Sequence, residues 1–326
     1  MLILTRSDLE KVLSMKDVIE VVERAFVELA KGTAILPMRA SVALSKTEGW
    51  MGVMPAYLER MGSLSTKIVT VFDKNLEKGV PTIMATVMLN SSETGAPLAM
   101  MEGTFITAMR TGAVTGVATK YLAREDAKTV GVFGAGVQAR TQLRAVCAVR
   151  NIEKAFVCDI IEERADVYAD EMAEKLCIPV EKCSPNDIVK QSDIIVMATT
   201  AKTPVFDGSL VKPGTHLNLI GSFKPWVREV DEMVIKMSKI VVDQKSAALE
   251  EAGDIIIPLK AGKITEEHIY AELGELVTGI KPGRTSDSEI TLFKSVGLGI
   301  QDCAAAWLAY TKAKEKKLYK EIDLFS

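Results

Sequence analysis

The stretch from Thr129 to Ala139, TVGVFGAGVQA, constrains the fold more than any other part of the chain. Its first half is apolar and strand-forming, two glycines follow directly, and a helical pattern begins after Gly136. This order of strand, turn and helix is the context in which a Gly-x-Gly-x-x-Gly/Ala sequence binds a dinucleotide. Gly134 permits the tight turn, and Gly136 lets the backbone approach a pyrophosphate. Ala139 is small enough for the helix to lie close to its strand.

The residues around this turn predict which dinucleotide binds. Val137 and Gln138 begin the helix, where free N–H groups and the positive end of the helix dipole favour phosphate. Asp159 ends the next strand-like run, 25 positions after Gly134, close to the expected spacing of about 20. A carboxylate there accepts hydrogen bonds from an adenosine ribose and repels a 2′-phosphate. The pattern therefore favours NAD, while the nearby Arg164 leaves NADP possible.

Strand-like and helical segments alternate from residue 128 onward. This alternation predicts an α/β fold with a Rossmann doubly wound parallel sheet. One of its strands is predicted at 193–198, and ligands bind at the carboxyl ends of such strands. Thr200 and Ala201 follow that strand directly, so we expect their backbone to line the cofactor cleft.

The first third of the chain has a different pattern, with one amphipathic helix and strand-like segments at 40–44, 50–54, 63–72, 81–89 and 97–102. The sequence NSSETG (90–95) between the last two segments indicates a hairpin, and the pairing is predicted to be mainly antiparallel. We predict a discontinuous α+β domain for substrate binding and dimerisation, formed by residues 1–120 and 296–326. Residues 121–295 form the Rossmann NAD(P)-binding domain in this prediction. Asp302 lies near the start of the last helical pattern, and we interpret it as a cap or a first-turn charge.

Composition excludes several classes of function. The net charge is −3 and the pI is about 5.7, which argues against nucleic acid or an anionic membrane as a main partner. No apolar run approaches the ~18 residues that a membrane-spanning helix needs. Five scattered cysteines and two histidines predict no metal site, and they fit a reducing cytoplasm.

Several motifs together resemble the ornithine cyclodeaminase/mu-crystallin family, which includes archaeal-type alanine dehydrogenases and cyclic ketimine reductases. The matching segments are LPMR (36–39), MPA (54–56), STKIV (65–69), KGVPT (78–82), AMRTGA (108–113), GAGVQA (134–139), VKPGTHLN (211–218) and AELGE (271–275). The resemblance implies a Rossmann domain plus a substrate domain built from the N-terminal segment and the C-terminal helix. It also implies a homodimer, because family members typically merge their substrate-domain sheets into a closed barrel.

The resemblance assigns roles to three basic residues that composition alone would place on the solvated surface. It implies that Arg39, Lys67 and Arg110 hold the substrate carboxylate and that Lys67 also acts near the reacting nitrogen. A guanidinium grips a carboxylate through two N–H groups, and crowding with partial burial should lower the pKa of the lysine. Thr82 beside the substrate and Thr111 beside the cofactor are further candidates.

Phe223 marks a departure from the cyclodeaminase pattern. Cyclodeaminases of the family carry an aspartate shortly after the Ile-Gly motif, and here that position falls on Phe223, which becomes a candidate substrate contact. We therefore predict an NAD(P)H-dependent oxidoreductase that acts on the CH–N bond of a small 2-amino or 2-imino acid. Reduction of a cyclic ketimine such as Δ1-pyrroline-2-carboxylate and alanine dehydrogenase activity both fit. Ornithine cyclodeaminase activity and a mu-crystallin-like, cofactor-dependent binding protein are the alternatives.

Overall fold

The computed structural model describes residues 1–324 and contains two compact units. One unit is Met1–Arg110 together with the segment from Leu298 onward, and the other is Thr111–Gly297. The boundary after Arg110 falls within a long helix, so the helix that leads into the second unit begins in the first. The substrate and cofactor roles that the sequence assigns to the two domains stay predictions.

The regular elements are numbered in chain order. The strands are β1 (Leu2–Leu4), β2 (Ala34–Ile35), β3 (Ala40–Leu44), β4 (Gly49–Leu58), β5 (Ser63–Phe72), β6 (Ile83–Ser91), β7 (Pro97–Glu102), β8 (Thr129–Phe133), β9 (Lys154–Cys158), β10 (Val180–Lys182), β11 (Ile194–Met197), β12 (His216–Leu219), β13 (Lys239–Val242), β14 (Ile269–Glu272), β15 (Thr291–Lys294) and β16 (Lys320–Glu321). The helices are α1 (Arg6–Val12), α2 (Met15–Ala30), α3 (Gly103–Leu122), α4 (Val137–Val149), α5 (Glu162–Leu176), α6 (Pro185–Gln191), α7 (Glu232–Met237), α8 (Lys245–Glu251), α9 (Gly253–Lys260), α10 (Leu273–Val277) and α11 (Gly299–Lys316).

The first unit is built on a sheet in the order β16-β1-β7-β6-β5-β4-β2, with β3 also paired to β4. Strands β3 to β7 pair antiparallel in chain order, as the hairpin signal predicts, whereas β1 lies parallel to β7. Because side chains alternate between the two faces of a strand, β5 turns Ser65, Lys67 and Val69 inward and Ile68 outward. Helix α11 packs against β4 and β5, and α2 packs against α11.

The second unit contains a parallel sheet in the order β10-β9-β8-β11-β12-β15-β13-β14. Separate apolar clusters hold its helices: α4 and α5 pack with one cluster, while α6, α7 and α8 pack with the other. The strand order reverses between β8 and β11, so the crevice beside β8 is where a ligand is expected. The predicted α/β fold class, a doubly wound parallel sheet with a further α+β sheet unit, is confirmed. Within residues 1–324, no helix has the length and apolar character to cross a membrane.

A fully buried ion pair lies in the second unit at the end of β15. Lys294 Nζ is 2.9 Å from Asp254 Oδ2 and donates a hydrogen bond to the carbonyl oxygen of Ser222. Glu229 is also fully buried, and its backbone N–H donates a hydrogen bond to Asp254 Oδ1 at 2.7 Å. Burying charge is costly unless it is paired, so this lysine is required by the acids around it.

We expect Lys294→Met to lower the free energy of unfolding by about 3–5 kcal/mol, because it leaves buried carboxylates without their cation. Urea unfolding followed by circular dichroism measures this change. The matched control is Lys190→Met at an exposed lysine, which should stay within about 0.5 kcal/mol of the parent. Equal stability of the two variants would contradict the assigned role of Lys294.

Candidate active site and cofactor site

Lys67 lies in the middle of an apolar row on the inner face of the first unit's sheet. Its direct cross-strand neighbours are Met54 on β4 and Val87 on β6, and Val87 is opposite Met101 on β7. All three apolar side chains are buried, and Lys67 itself is 1% exposed. A lysine on this face has no access to bulk water, so it needs a partner within the protein.

That partner is Asp302, in the first turn of α11. Asp302 Oδ2 is 2.7 Å from Lys67 Nζ, and Asp302 Oδ1 accepts a hydrogen bond from Arg110 Nε at 3.1 Å. The helix can start this close to β4 because residue 299 is glycine: a Cβ there would meet the carbonyl oxygen of Pro55 at 3.2 Å. One buried carboxylate thus joins the two basic residues.

This role of Asp302 was not predicted from the sequence. Its place in a first helical turn is as expected, but its side chain is 1% exposed and forms ion pairs, whereas a simple first-turn charge would be solvated. The only sequence signal was an acidic residue within an otherwise apolar and small stretch, GIQDCAAAW. The pairing itself depends on the docking of α11 on the sheet.

Arg110 is brought to the same site by the start of α3. The carboxylate of Glu102 accepts hydrogen bonds from the backbone N–H groups of Thr104 and Phe105 at 2.7 and 2.8 Å, which fixes the first turn. Arg110 follows two turns later, donates from Nη1 to Gln301 Oε1 at 2.7 Å, and is 6% exposed. An arginine has five N–H donors, and these contacts to Asp302 and Gln301 use two of them.

The surroundings of Lys67 lower the pKa of its ammonium group toward neutral pH. Burial, the positive charge of Arg110 and that of Arg39 lower the pKa of Lys67 to about 7, although Asp302 acts in the opposite direction. Arg39 is half-buried between β2 and β3, and its charge contributes to the lower pKa of Lys67. The structure therefore joins the predicted Lys67 and Arg110 at one carboxylate, whereas a contact of Arg39 with this site stays a prediction.

Thr82 and Phe223 were predicted to contact the substrate, and Thr111 the cofactor. Thr82 precedes β6, and its carbonyl oxygen accepts a hydrogen bond from the backbone N–H of Phe72. Thr111 belongs to the second unit and is held through its carbonyl oxygen by Gln142 Nε2. The ring of Phe223 packs partly against the apolar core of the second unit. Their roles toward a substrate or cofactor stay predictions.

The glycine-rich turn has the backbone geometry that a dinucleotide requires. Gly134 adopts φ +93°, and a Cβ there would meet the carbonyl oxygen of Ala198 at 2.6 Å. Gly136 is the N-cap residue of α4, and a Cβ on it would meet nothing within 4 Å, so the backbone faces open space. Ala139 is fully buried, as close packing of helix on strand predicts.

The residues bordering this turn also suit the cofactor. Val137, the first residue of α4, is 64% exposed, and Gln138 follows it at the helix start. Asp159 Oδ2 accepts a hydrogen bond from the backbone N–H of Ala135 at 2.8 Å, which places the carboxylate beside the turn. The loop of Thr200 and Ala201 follows β11 beside β8. Helix N–H groups that can donate to a pyrophosphate, and a carboxylate after β9 that can accept from a ribose, fit NAD.

Comparison with known proteins agrees with this geometry. The profile of the ornithine cyclodeaminase/mu-crystallin family matches residues 1–317, and the chain belongs to that family. It is 41% identical to the Δ1-pyrroline-2-carboxylate reductase of Bacillus cereus, over 99% of this chain and 100% of that protein.

Two solved structures are similar along their whole length. The first is Δ1-pyrroline-2-carboxylate reductase from Thermococcus litoralis in complex with NADH and L-proline, which is 53% identical with a TM-score of 0.97 and covers 99% of this chain and 100% of its own. The second is an archaeal alanine dehydrogenase dimer with bound NAD, which is 38% identical with a TM-score of 0.94 and covers 100% and 99%.

We expect Asp159→Ser to lower the preference for NADH over NADPH, the ratio of their kcat/KM values, by about tenfold or more, because it removes the carboxylate that repels a 2′-phosphate. Initial rates with each cofactor measure the ratio. Asp166→Ser, an exposed acid on α5, is the control. An unchanged ratio in Asp159→Ser would mean that this acid does not select the cofactor.

Proposed function

We propose that this protein is an NADH-dependent imine reductase that converts Δ1-pyrroline-2-carboxylate to L-proline. The observation that carries the proposal is the buried Lys67, whose pKa is lowered to about 7 beside two arginines. The broader prediction, an NAD-dependent enzyme that acts on the carbon–nitrogen bond of small amino or imino acids, is confirmed by the relatives.

The cofactor has a defined place in this proposal. The N–H groups at Gly136, Val137 and Gln138 would hold its pyrophosphate, and Asp159 would hold its adenosine ribose. When bound, NADH supplies the hydride that the imine carbon accepts.

The first unit supplies substrate binding and the proton. The remaining N–H groups of Arg110, together with Arg39, bind the substrate carboxylate. Lys67 in its ammonium form gives a proton to the imine nitrogen, so the carbon–nitrogen double bond becomes a single bond with one new C–H and one new N–H. Asp302 keeps the ammonium populated near neutral pH because its charge raises the pKa of Lys67.

The loop after β12 argues against ornithine cyclisation. Residues 221–228 contain no acidic side chain, and the family resemblance assigns Phe223 to the position of the cyclodeaminase aspartate. Glu229 is fully buried and already accepts hydrogen bonds from Thr199 and Ser222. No carboxylate of this segment is free to hold a distal ammonium, so a ring that is already closed is the better substrate.

The proposal is tested by following NADH oxidation with Δ1-pyrroline-2-carboxylate, with Δ1-piperideine-2-carboxylate and with pyruvate plus ammonia. We expect the five-membered imine to give the highest kcat/KM and L-proline as the product. A preference for pyruvate plus ammonia would instead identify an alanine dehydrogenase. Formation of proline from L-ornithine would identify a cyclodeaminase, and silence on all substrates would favour a binding protein.

The pH dependence should report Lys67. Since the ammonium is the proton donor in reduction, kcat/KM for the imine should fall as pH rises through about 7. Asp302→Asn removes the charge that raises this pKa, so the falling limb should move to lower pH. Initial rates at constant ionic strength, over about four pH units from about 5.5 to 9.5, measure the falling limb of the parent protein and that of Asp302→Asn.

Two controls accompany this profile. Lys67→Met should lower turnover by about 10²-fold or more while NADH binding stays intact. Asp17→Asn, on α2 beside Lys312, should leave the limb in place. Loss of NADH binding in Lys67→Met would show that the lysine is structural, and an unmoved limb in Asp302→Asn would separate Asp302 from the titrating group.

We further propose that the protein is a homodimer formed through the outer face of the first unit's sheet. Two cross-strand rows lie on this face, Ala40–Val53–Ile68–Thr86 and Val42–Met51–Thr70–Met84. Val42, Ile68 and Met84 are 48%, 46% and 40% exposed. A contiguous apolar surface of this kind is typical of a protein–protein interface. A second copy of the same surface would cover it.

We expect Val42→Glu with Met84→Glu to yield monomers, because the pairing face would then bury unpaired charge. Sedimentation velocity measures the oligomeric state. Val167→Glu changes a residue on α5 that is 61% exposed, and it should remain dimeric. A monomeric parent protein, or a dimeric double variant, would rule out this interface.

A further inference from the structure

Glu229 is a buried carboxylate that joins the ends of two neighbouring strands in the second unit. Its Oε1 accepts hydrogen bonds from the backbone N–H of Thr199 at 2.9 Å and from Thr199 Oγ1 at 2.7 Å. Its Oε2 accepts from the backbone N–H of Ser222 at 3.0 Å. Thr199 follows β11 and Ser222 follows β12, so one side chain ties both loops together at the carboxyl edge of the sheet.

The Thr199 loop in turn lies against the glycine-rich turn. A Cβ on Gly134 would meet the carbonyl oxygen of Ala198 at 2.6 Å and Thr199 Cα at 3.6 Å. On the other side, a Cβ on Gly221 would meet the carbonyl oxygen of Thr199 at 2.2 Å and Glu229 Oε1 at 2.5 Å. Glu229 therefore packs against the Thr199 loop, and this loop packs against Gly134. A movement of the Glu229 side chain would displace the Thr199 loop and, through it, the glycine-rich turn.

Two further charged residues hold Glu229 and Ser222 in place. Asp254 Oδ1 accepts a hydrogen bond from the backbone N–H of Glu229 at 2.7 Å, and Lys294 pairs with the other oxygen of Asp254. Lys294 also donates to the carbonyl oxygen of Ser222. Ser222 is thus held at its N–H group by Glu229 and at its carbonyl by Lys294, which leaves its backbone little freedom.

We propose that Glu229 is a positioning residue for NADH: its carboxylate fixes the loops after β11 and β12 that border the cofactor crevice. It acts through Thr199 and Ser222 and does not itself contact the cofactor. The inference rests on the proposed function for the identity of the cofactor. A residue that contributed only to stability would leave the NADH affinity of the folded protein unchanged.

The test is Glu229→Gln, which keeps the shape of the side chain but replaces one acceptor oxygen with a donor. Either Ser222 or Thr199 then faces an N–H group where it had an acceptor. We expect the dissociation constant for NADH to rise about 10- to 100-fold, as the loss of a hydrogen bond to a charged group predicts. Fluorescence titration, with circular dichroism to verify folding, measures it. Glu232→Gln, a solvent-facing acid paired with Arg228, should match the parent protein.

Thr199→Val tests the same contact from its other end. At nearly constant volume it removes the Oγ1 hydroxyl, which donates to Glu229 and accepts from the backbone N–H of Ala201 at 3.1 Å, and we expect a rise of about fivefold in the dissociation constant. If Glu229 acts through Thr199, the loss of NADH affinity in the double variant should be smaller than the sum of the two single losses. Additive effects in the double variant would overturn the proposal, as would parent-like binding by folded Glu229→Gln.

If Glu229→Gln does not fold, Thr199→Val tests the proposal alone. An unchanged affinity of Thr199→Val for NADH would then overturn it. The titration contains no imine, so its outcome is separate from that of the proposed reaction. A parent protein that binds NADH but reduces no imine contradicts the proposed substrate alone. A parent protein that does not bind NADH overturns both.

Discussion

The ion pair between Lys67 and Asp302 is the interaction on which the first unit depends. It joins a strand at the centre of the sheet to the first turn of α11, and both side chains are 1% exposed. An isolated charge could not remain in this apolar row, so each residue requires the other. Arg110 adds a second cation to the same carboxylate, which keeps the site positive overall and suited to an anionic substrate.

In the second unit, buried carboxylates fix several loops at the carboxyl edge of the parallel sheet. Backbone groups in such loops have lost the partners that the strands provide. Here buried acids supply the acceptors: Glu229 for Thr199 and Ser222, and Asp243 for the N–H groups of Val296 and Gly297 at 2.8 and 2.9 Å. Fixed loops at this edge give a cofactor a preformed crevice.

Local pattern was enough to predict much of this architecture. The predicted strands at 40–44, 63–72 and 97–102 have the observed bounds of β3, β5 and β7, because alternation and turn residues mark them clearly. The strand at Ile269–Glu272 and the short helices between residues 185 and 277 were not predicted. These elements are too short for a periodic signal, and their form depends on packing against the parallel sheet.

The candidate site divides in the same way. The glycine-rich turn and Asp159 could be predicted because they lie within one βαβ unit, where spacing along the chain determines spacing in the fold. Arg39, Lys67 and Arg110 were identified only through resemblance to a family. The first-turn place of Asp302 was predicted but its ion pairs were not, and Glu229 was not predicted to have a role. Both are acids whose partners are distant in sequence, so local pattern carries no information about their pairing.

The sequence by itself therefore determined the dinucleotide turn, the parallel sheet and the family, because each rests on local spacing or on motifs along the chain. Only the tertiary structure decided which charges are buried together. Asp302 lies 235 positions from Lys67, and Lys294 lies 72 from Ser222. The pKa of a lysine, and hence the proposed use of Lys67 as a proton donor near neutral pH, follows from burial and neighbouring charge. Those exist only once the helix and the strand have packed together.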